Sequence, residues 1–600
     1  MVSPDAKDVT FIDTEKSEEL YTLKTTKSLM IRKTEIMAGQ YDHWYHHAIL
    51  LLSAFICGYG YGLDGNVRYI YTSYAASSYS DHSLISTITI ITAVIGAASQ
   101  LIFARLSDVF GRLSLFITAI VFYVIGTIIQ SQATDIQRYA AGSVFWSTGY
   151  VGILLMLVLI LSDFSSLKWR LLYQFAPCWP TMINTWIAGT ITARAKPQAE
   201  WRWGIAMWAF IIPLSTLPII CCMVHMRLKA RRTEQWAILA EEKSFYQADG
   251  LVKTLIELFW RLDVLGVLLM TTSVGCILSP LTLAGGTQAK WANSHLIGPL
   301  VLGFVLLPIF LVWESKWSKY PVVPYNLVKD RAIWGALGCQ FLIGFIYNLA
   351  AGYIYTILIV AVNETVKSAT VINSLSSFVS TVASTFFSIW ITRCTRLKGY
   401  IVGGCGIWAL AMGLFYHYRG GESAHSGIVA AMVIWGLGDT LLIYPTTISV
   451  QSVTSHDNMA TVTALNYTLY RIGLATGAAV SGAIWTQTLY KALVTRLKDV
   501  NMATAAYSAP FEFILEYTWG TSERNAMMEA YREVQRYETI VALVFTVPLF
   551  VCGLCLRDPP LTDKVAQEDI KNGEYVDKSH NDPIADWFVG KWKRIGDKKD

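Results

Sequence analysis

Six hundred residues with 54% hydrophobic and only 15% charged side chains, at a mean hydropathy of +0.41, cannot keep their apolar surface dry as a soluble chain. A disordered chain is excluded too, because disorder needs low hydrophobicity and high charge, and a polytopic membrane protein in a lipid bilayer remains. The net charge of +5 is spread over loops rather than gathered in one patch, which argues against a nucleic-acid partner.

In chain order, residues 1–44 are polar and lack the apolar core of a signal peptide, so a cytosolic tail is expected. A helix crosses the ~30 Å hydrocarbon core with about 20 residues. Apolar runs of that length predict fourteen spans: 45–63, 84–104, 113–132, 139–161, 171–192, 204–226, 263–285, 296–314, 332–361, 371–391, 399–417, 427–450, 460–487 and 538–556. The run 332–361 is long for one straight helix. With the N-terminus inside, the short inner loops and the 227–262 linker carry eighteen Lys and Arg against eight in the short outer loops. That bias places both termini in the cytosol. Asn363-Glu364-Thr365 is then a glycosylation sequon on an outer loop.

The chain divides into a tail (1–44), six helices (45–226), a cytosolic amphipathic linker (227–262) and two further helices (263–314). Six more helices (315–556) include a long extracellular loop, 488–537, and a cytosolic tail follows (557–600). The linker carries Leu251, Leu255, Leu258 and Phe259 on one helical stripe, as a segment lying on the membrane surface would. The long loop holds Tyr507, Phe511, Phe513, Tyr517 and Trp519, a composition for a folded cap over an opening. Tail lysines Lys564, Lys571 and Lys578 are solubilising charges or, alternatively, targets of a ubiquitin ligase during regulated internalisation.

No Gly-rich phosphate loop, nucleophile elbow or metal-ligand spacing occurs, so no enzyme, cofactor or metal site is expected, and the scattered cysteines read as small apolar residues. Transport driven by a gradient fits better than an ATP-driven engine. The glycines at 58, 60, 62 and 65 permit a broken or kinked first helix, with Tyr59, Tyr61, Tyr69 and Tyr71 around it. Asp64 and Arg68 stand four apart and can pair on one face, either as a loop salt bridge or as a proton-coupling site, since a carboxylate beside a membrane cavity can hold a proton at neutral pH. Asp439 and Arg471 are the clearest intramembrane charges, each costing at least ~2.5 kcal/mol if unpaired at the bilayer centre. They are expected to pair with each other, either structurally or as a proton-coupling pair, or to line a cavity. Tyr347, Tyr353, Tyr355, Tyr444, Asn466 and Tyr470 are further pocket candidates, against the plain reading of interfacial aromatics and helix-packing groups.

Between spans 2 and 3 runs Ala104-Arg105-Leu106-Ser107-Asp108-Val109-Phe110-Gly111-Arg112. Gly111 suits a tight turn, and Asp108 and Arg112 can pair across it as a conformational latch. The segment resembles the signature loop of the major facilitator superfamily, with Ala104 where Gly is usual. Other segments narrow the resemblance to the yeast siderophore–iron transporters of that superfamily. These are Cys57–Gly65, Ser162–Arg170, Asn184–Gly189, Pro280–Gly286, Ser481–Gln487 and Tyr517–Gly520. The resemblance covers about residues 30–585. It implies an all-α major facilitator fold of fourteen helices, two six-helix bundles plus two extra helices. It further implies proton-coupled uptake of ferric siderophores, hydroxamates such as ferrichrome or ferrioxamine, at the plasma membrane or endosome, with Asn184, Trp186, Trp485, Tyr517 and Trp519 in matching segments. Proton-coupled exchange exporting glutathione or drugs, and a non-transporting sensor, are the alternative readings.

Overall fold

The computed structural model describes residues 29–558 except 42, 165–172, 174, 242–249, 287–290, 324, 392–395, 422 and 455. Most of both tails, with Lys564, Lys571 and Lys578, lies outside the described residues, as does the middle of the linker. Every expected apolar run falls on a helix. The first six are α1 (Trp44–Ser78), α2 (Ile85–Phe110), α3 (Arg112–Ser131), α4 (Ile136–Asp163), α5 (Thr181–Arg194) and α6 (Trp208–Ala230). The two extra helices are α7 (Val264–Leu283) and α8 (Ser294–Val312). The last six are α9 (Arg331–Ala351, resuming as Ile354–Ala361), α10 (Val366–Ile391), α11 (Lys398–His417), α12 (Ala424–Ser452), α13 (His456–Leu497) and α14 (Ser522–Cys555).

Twelve described helices are long and apolar enough to cross a bilayer. The other two expected spans map to α5, of which 14 residues are described, and to α13, whose Asn466, Arg471 and many small residues dilute its hydropathy. The two groups of six meet along α2–α13 and α5–α10. The extra helix α7 packs on α8 and also touches both α2 and α13, one helix from each group. α8 is almost wholly uncovered by protein, with 11% of its most apolar stretch buried.

Three expectations need correction. The first helix is not broken near its glycines: α1 runs unbroken for 35 residues. At 1.5 Å per residue that is roughly 50 Å, well beyond the hydrocarbon core. Its polar stretch from Asp64 to Arg68, read as the start of a loop, lies inside the helix because neighbouring helices satisfy those groups. The glycines instead permit close approach: a Cβ at Gly58 would lie 2.3 Å from the Pro177 carbonyl oxygen. Second, α14 starts at Ser522 rather than 538, and α13 continues to Leu497. The presumed long loop is thus mostly helix, with Val500–Ser508 and Pro510–Glu516 between them. Third, the long run 332–361 breaks at Gly352 and Tyr353. The backbone carbonyls freed there accept from the Tyr69 hydroxyl of α1, 2.8 Å from Gly352 and 3.4 Å from Ala351.

Small residues set the packing of α9 on α13. A Cβ at Gly344 would meet the Tyr470 carbonyl at 2.2 Å, one at Gly473 the Phe341 carbonyl at 2.1 Å, and one at Gly477 the Phe345 carbonyl at 2.3 Å. In a bilayer, where apolar side chains gain little by leaving lipid, such backbone approach supplies the association. Gly473→Val and Gly477→Val are therefore each expected to cost about 1–3 kcal/mol or more by overpacking. The check is the melting temperature and monodispersity of the purified variants; parental values for both would contradict the packing argument.

Candidate substrate cavity

A cavity of about 350 Å³ lies between the two bundles. Its first-bundle wall includes Asn66, Arg68, Tyr69, Gln130, Trp146 and Tyr150; its second-bundle wall includes Tyr347, Asn348, Asn373, Ser376, Ser377 and Trp435. The lining mixes amides, hydroxyls and aromatic faces. Among the described residues, Arg68 is the one charged side chain that lines it, and no carboxylate does.

Arg68 is held rigidly. Its Nε donates to Asp64 at 2.9 Å, its Nη1 to Gln130 Oε1 at 2.6 Å, and its Nη2 to Tyr123 at 3.0 Å and Thr127 at 3.3 Å. The guanidinium also lies 5.0 Å from the Trp146 ring centroid. Both members of the pair are buried. Spacing suggested the pair, and folding makes it an anchor between α1 and α3 rather than an exposed loop bridge.

Asp439 and Arg471 do not pair. Trp408 Nε1 donates to Asp439 at 3.0 Å, and Arg471 Nε donates to Gln100 of α2 at 2.9 Å. Each charge found a polar partner on a neighbouring helix, which spacing along the chain does not reveal. Asp439 sits one layer behind the cavity wall: Trp408 packs edge-on against Trp435, and Trp435 against Tyr347.

Of the tyrosines singled out from sequence, Tyr69 and Tyr347 line the cavity. Tyr61 stacks on the lining residue Tyr150 at 4.0 Å. Asn184 donates to the Tyr59 carbonyl at 3.1 Å, stitching α5 to α1. Asn466 donates to Thr447 at 3.1 Å, and Tyr444 packs edge-on against Phe175. Tyr470 is half-buried on α13, and its backbone takes the close approach of Gly344. Three others stand elsewhere. Trp186 is 53% exposed against Phe378, Tyr71 is wholly buried with its ring against Gly204, and Trp485 stacks on Tyr353 at 3.8 Å inside the core.

Toward the cap, the helices around Phe511 close the seam between the two bundles. That ring meets Tyr74 at 4.6 Å, His82 at 5.1 Å and Tyr355 at 6.2 Å, joining the cap to both bundles. Ser86 donates to the Tyr353 hydroxyl at 2.7 Å, and Tyr355 to Tyr74 at 3.4 Å, across the same seam. Burial pushes the Tyr507 hydroxyl in this cap up to about 12, so it stays neutral. Tyr517 stacks on Phe513, and Trp519 lies beneath the Arg524 guanidinium at the cap's rim. Asn363 is exposed on this face, in the turn between α9 and α10.

The opposite face carries the signature loop. Gly111 adopts φ 85°, the left-handed region glycine favours, and turns α2 into α3. Arg112 donates to Asp163 at 3.0 Å and also bonds Ser107. The Asp108 side chain, expected as its partner, lies outside the described residues, as do 165–170 of the segment after α4. One carboxylate that Arg112 reaches comes from the end of α4, 51 positions along the chain.

Sequence reasoning missed Glu538. It is buried in mid-α14 and accepts from Ser481 at 2.6 Å, close behind the α9 break at Gly352. The signal was available: apolar positions Met527, Tyr531 and Val534 extend the helical face upstream of the expected span. Among the described residues no three His, Cys, Asp or Glu side chains are grouped to hold a metal ion.

Two helical bundles around a polar, aromatic-walled cavity, with a latch on one face and a seal on the other, define a membrane transporter. A family profile described as "Sugar (and other) transporter" matches residues 48–260. The siderophore iron transporter ARN1 of Saccharomyces cerevisiae is 64% identical over 95% of this chain and 91% of its own length. ARN2 of the same yeast is 56% identical over 95% and 92%, and siderophore iron transporter mirC of Emericella nidulans 31% over 86% and 85%. The chain belongs to the siderophore iron transporter family of the major facilitator superfamily. Among solved structures, the inward-facing bacterial homologue of the human lysosomal transporter Spinster aligns with TM-score 0.52 at 12% identity, covering 85% of this chain and 97% of that one. A peptide transporter in complex with sulfate aligns with TM-score 0.52 at 15% identity, over 86% and 96%. Both share the fold.

The Asp64–Arg68 anchor yields a stability test. Asp64→Ala leaves a buried guanidinium without its counter-charge and is expected to cost roughly 3–5 kcal/mol, and adding Arg68→Met should recover much of that loss. Thermal unfolding of the purified variants decides it, and a single variant as stable as the parent would show that the pair is not an anchor.

Proposed function

We propose that this protein imports ferric siderophores by alternating access, coupled to protons, through fourteen membrane crossings with both termini in the cytosol. The observation that carries the reading is a broad cavity of amides, hydroxyls and aromatic rings, with no carboxylate among its described lining residues, in a chain from this family. Three hydroxamates, each with one negative charge, neutralise a ferric ion. The chelate is then a large, neutral, oxygen-rich body with apolar flanks. Aromatic faces suit those flanks, and donors such as Asn66, Asn348, Asn373 and Arg68 suit the ring of oxygens. The iron is cargo and arrives fully wrapped, so it asks for no ligand from the protein.

Access from the cap face requires the Phe511 plug and the Ser86–Tyr353 bond to part. Access from the latch face requires Arg112 to release Asp163. Tyr517 and Trp519 stand at the rim of the cap, where a bulky amphipathic ligand first arrives. The plasma membrane, with exchange through endosomes, is the compartment this uptake needs, and Asn363 on the cap face is the glycosylation site. The remaining aromatic and amide positions from Tyr59 to Tyr470 act as helix-packing support for the wall.

Asp439 is the coupling carboxylate in this scheme. When ionised it is a strong acceptor for Trp408; when protonated it is a weaker one. Proton binding thus loosens Trp408 and, through Trp435 and Tyr347, one wall of the cavity. Binding that favours one state over the other is what drives alternation. Asp64 already has its proton-equivalent in Arg68 and takes the structural role.

Uptake of radioactive iron as ferrichrome, ferrioxamine or ferric citrate, in iron-starved cells with and without the protein, tests the reading. Chelate uptake that a protonophore abolishes is expected; glutathione efflux without chelate uptake would replace importer by exchanger. Asp439→Asn keeps an acceptor for Trp408 and should remove the acid stimulation of uptake while protein remains at the membrane. Undiminished acid stimulation would move coupling elsewhere, Glu538 being next. Tyr517→Ala with Trp519→Ala should raise the half-saturating chelate concentration by about tenfold, as the loss of roughly 1–1.5 kcal/mol of ring contact implies; wild-type uptake curves would refute capture at the rim.

A further inference from the structure

The latch face carries a second concavity, remote from the central cavity. The linker helix Gly250–Leu262 exposes Val252, Leu255, Ile256 and Phe259. These fall at i, i+3, i+4 and i+7, a single apolar stripe left bare by the rest of the protein. On a helix placed at the ends of membrane-spanning helices, such a stripe is covered by the interfacial layer of the bilayer. Beside it, Trp313 and the exposed Trp317 and Tyr320 close the end of α8, side chains suited to headgroup depth.

Between linker helix and α8 end lies a cleft of about 350 Å³, lined by Lys253, Ile256, Glu257, Trp260, Lys319 and Tyr320. Lys319 sits 5.0 Å over the Trp260 ring, and Trp260 stacks on Trp313, so the cleft's floor is built. The acidic groups nearby are already engaged. Glu257 pairs with Arg261 at 2.7 Å, and buried Asp263 accepts from Trp313 and Ser318, each at 2.8 Å. Glu314, also buried, accepts from the Val323 backbone N–H. Arg105, on the side of α2, spends its guanidinium on the Arg261 and Pro321 carbonyls. Lys253 and Lys319 are left as exposed cations at the mouth of an aromatic cleft, at membrane-surface depth.

We propose that this cleft binds the phosphate headgroup of an anionic phospholipid, with Lys253 and Lys319 facing the phosphate and the acyl chains lying along the apolar stripe. The site rests on the membrane-spanning fold alone, so it stands or falls separately from the siderophore reading. Clusters of cations beside interfacial aromatics recognise acidic headgroups because charge attraction and burial of the chains act together.

The test uses the full chain, delipidated in detergent, titrated with phosphatidylserine, phosphatidylglycerol and phosphatidylcholine of identical acyl chains, with binding read by native mass spectrometry. The two anionic lipids should bind at least about tenfold more tightly than phosphatidylcholine, and Lys253→Ala with Lys319→Ala should weaken them by roughly 30-fold. Lys491→Ala with Lys498→Ala, on the cap face, should leave binding unchanged. Lys253→Gln with Lys319→Gln, which keeps the side-chain stems, serves if the alanine pair does not fold. Equal binding of phosphatidylcholine, parental affinity in the lysine variants, or displacement of the lipid by inorganic phosphate at the same concentration would each overturn the proposal.

Discussion

The Asp64–Arg68 ion pair is the constraint on which the interior of this protein turns. A guanidinium and a carboxylate inside a bilayer persist only when each is paired and hydrogen-bonded. Here the requirement recruits Gln130, Tyr123 and Thr127 from α3 and ties α1 to the first bundle. Once tied, α1 need not end where its sequence turns polar. It continues to Ser78, carries Tyr69 to the broken α9, and reaches the cap at Tyr74. The cavity wall, the break in α9 and the seal against Phe511 all meet this one helix. The pair also presents to the cavity a cation whose charge is already balanced, which suits a neutral, oxygen-bearing ligand better than a free anion.

The helices themselves were legible in the sequence because lipid imposes a length and a polarity on anything crossing it. Twelve of the fourteen expected runs fall on described helices long and apolar enough to cross a bilayer. Their ends were less legible for a physical reason. Hydropathy registers polar residues without knowing whether a neighbour satisfies them, so Asp64 and Arg68 read as a boundary, and so did Glu538. Both sit inside long helices because partners distant in sequence, Gln130 and Ser481, complete their hydrogen bonds. The same blindness separated Asp439 from Trp408 and Arg471 from Gln100, and it hid the Arg112–Asp163 latch contact.

The site was half-visible. Tyrosines cluster on α1 in the sequence, and Tyr69 does reach the cavity. Its most telling lining residues, the asparagines and serines of α9 and α10, have no signature of their own, since an amide in an apolar run gains meaning only from what faces it. Trp186 illustrates the converse: a large aromatic in a resembling segment is turned outward against Phe378. Periodicity fixes the face on which a side chain stands, but two bundles must be placed before one knows which faces look at each other.

The two extra helices give the molecule a mechanical property that a twelve-helix transporter lacks. α7 touches α2 in one bundle and α13 in the other, and it carries with it α8, which is almost entirely uncovered by protein. In the alternating access proposed above the two bundles rock about the cavity, and a third body in contact with both turns the pair into a linkage. Any displacement between α2 and α13 must either slide along α7 or drag it, and dragging it moves α8 through the surrounding acyl chains. The viscosity and thickness of the bilayer thereby enter the work of the conformational cycle directly, as a load on the moving part rather than as a passive solvent.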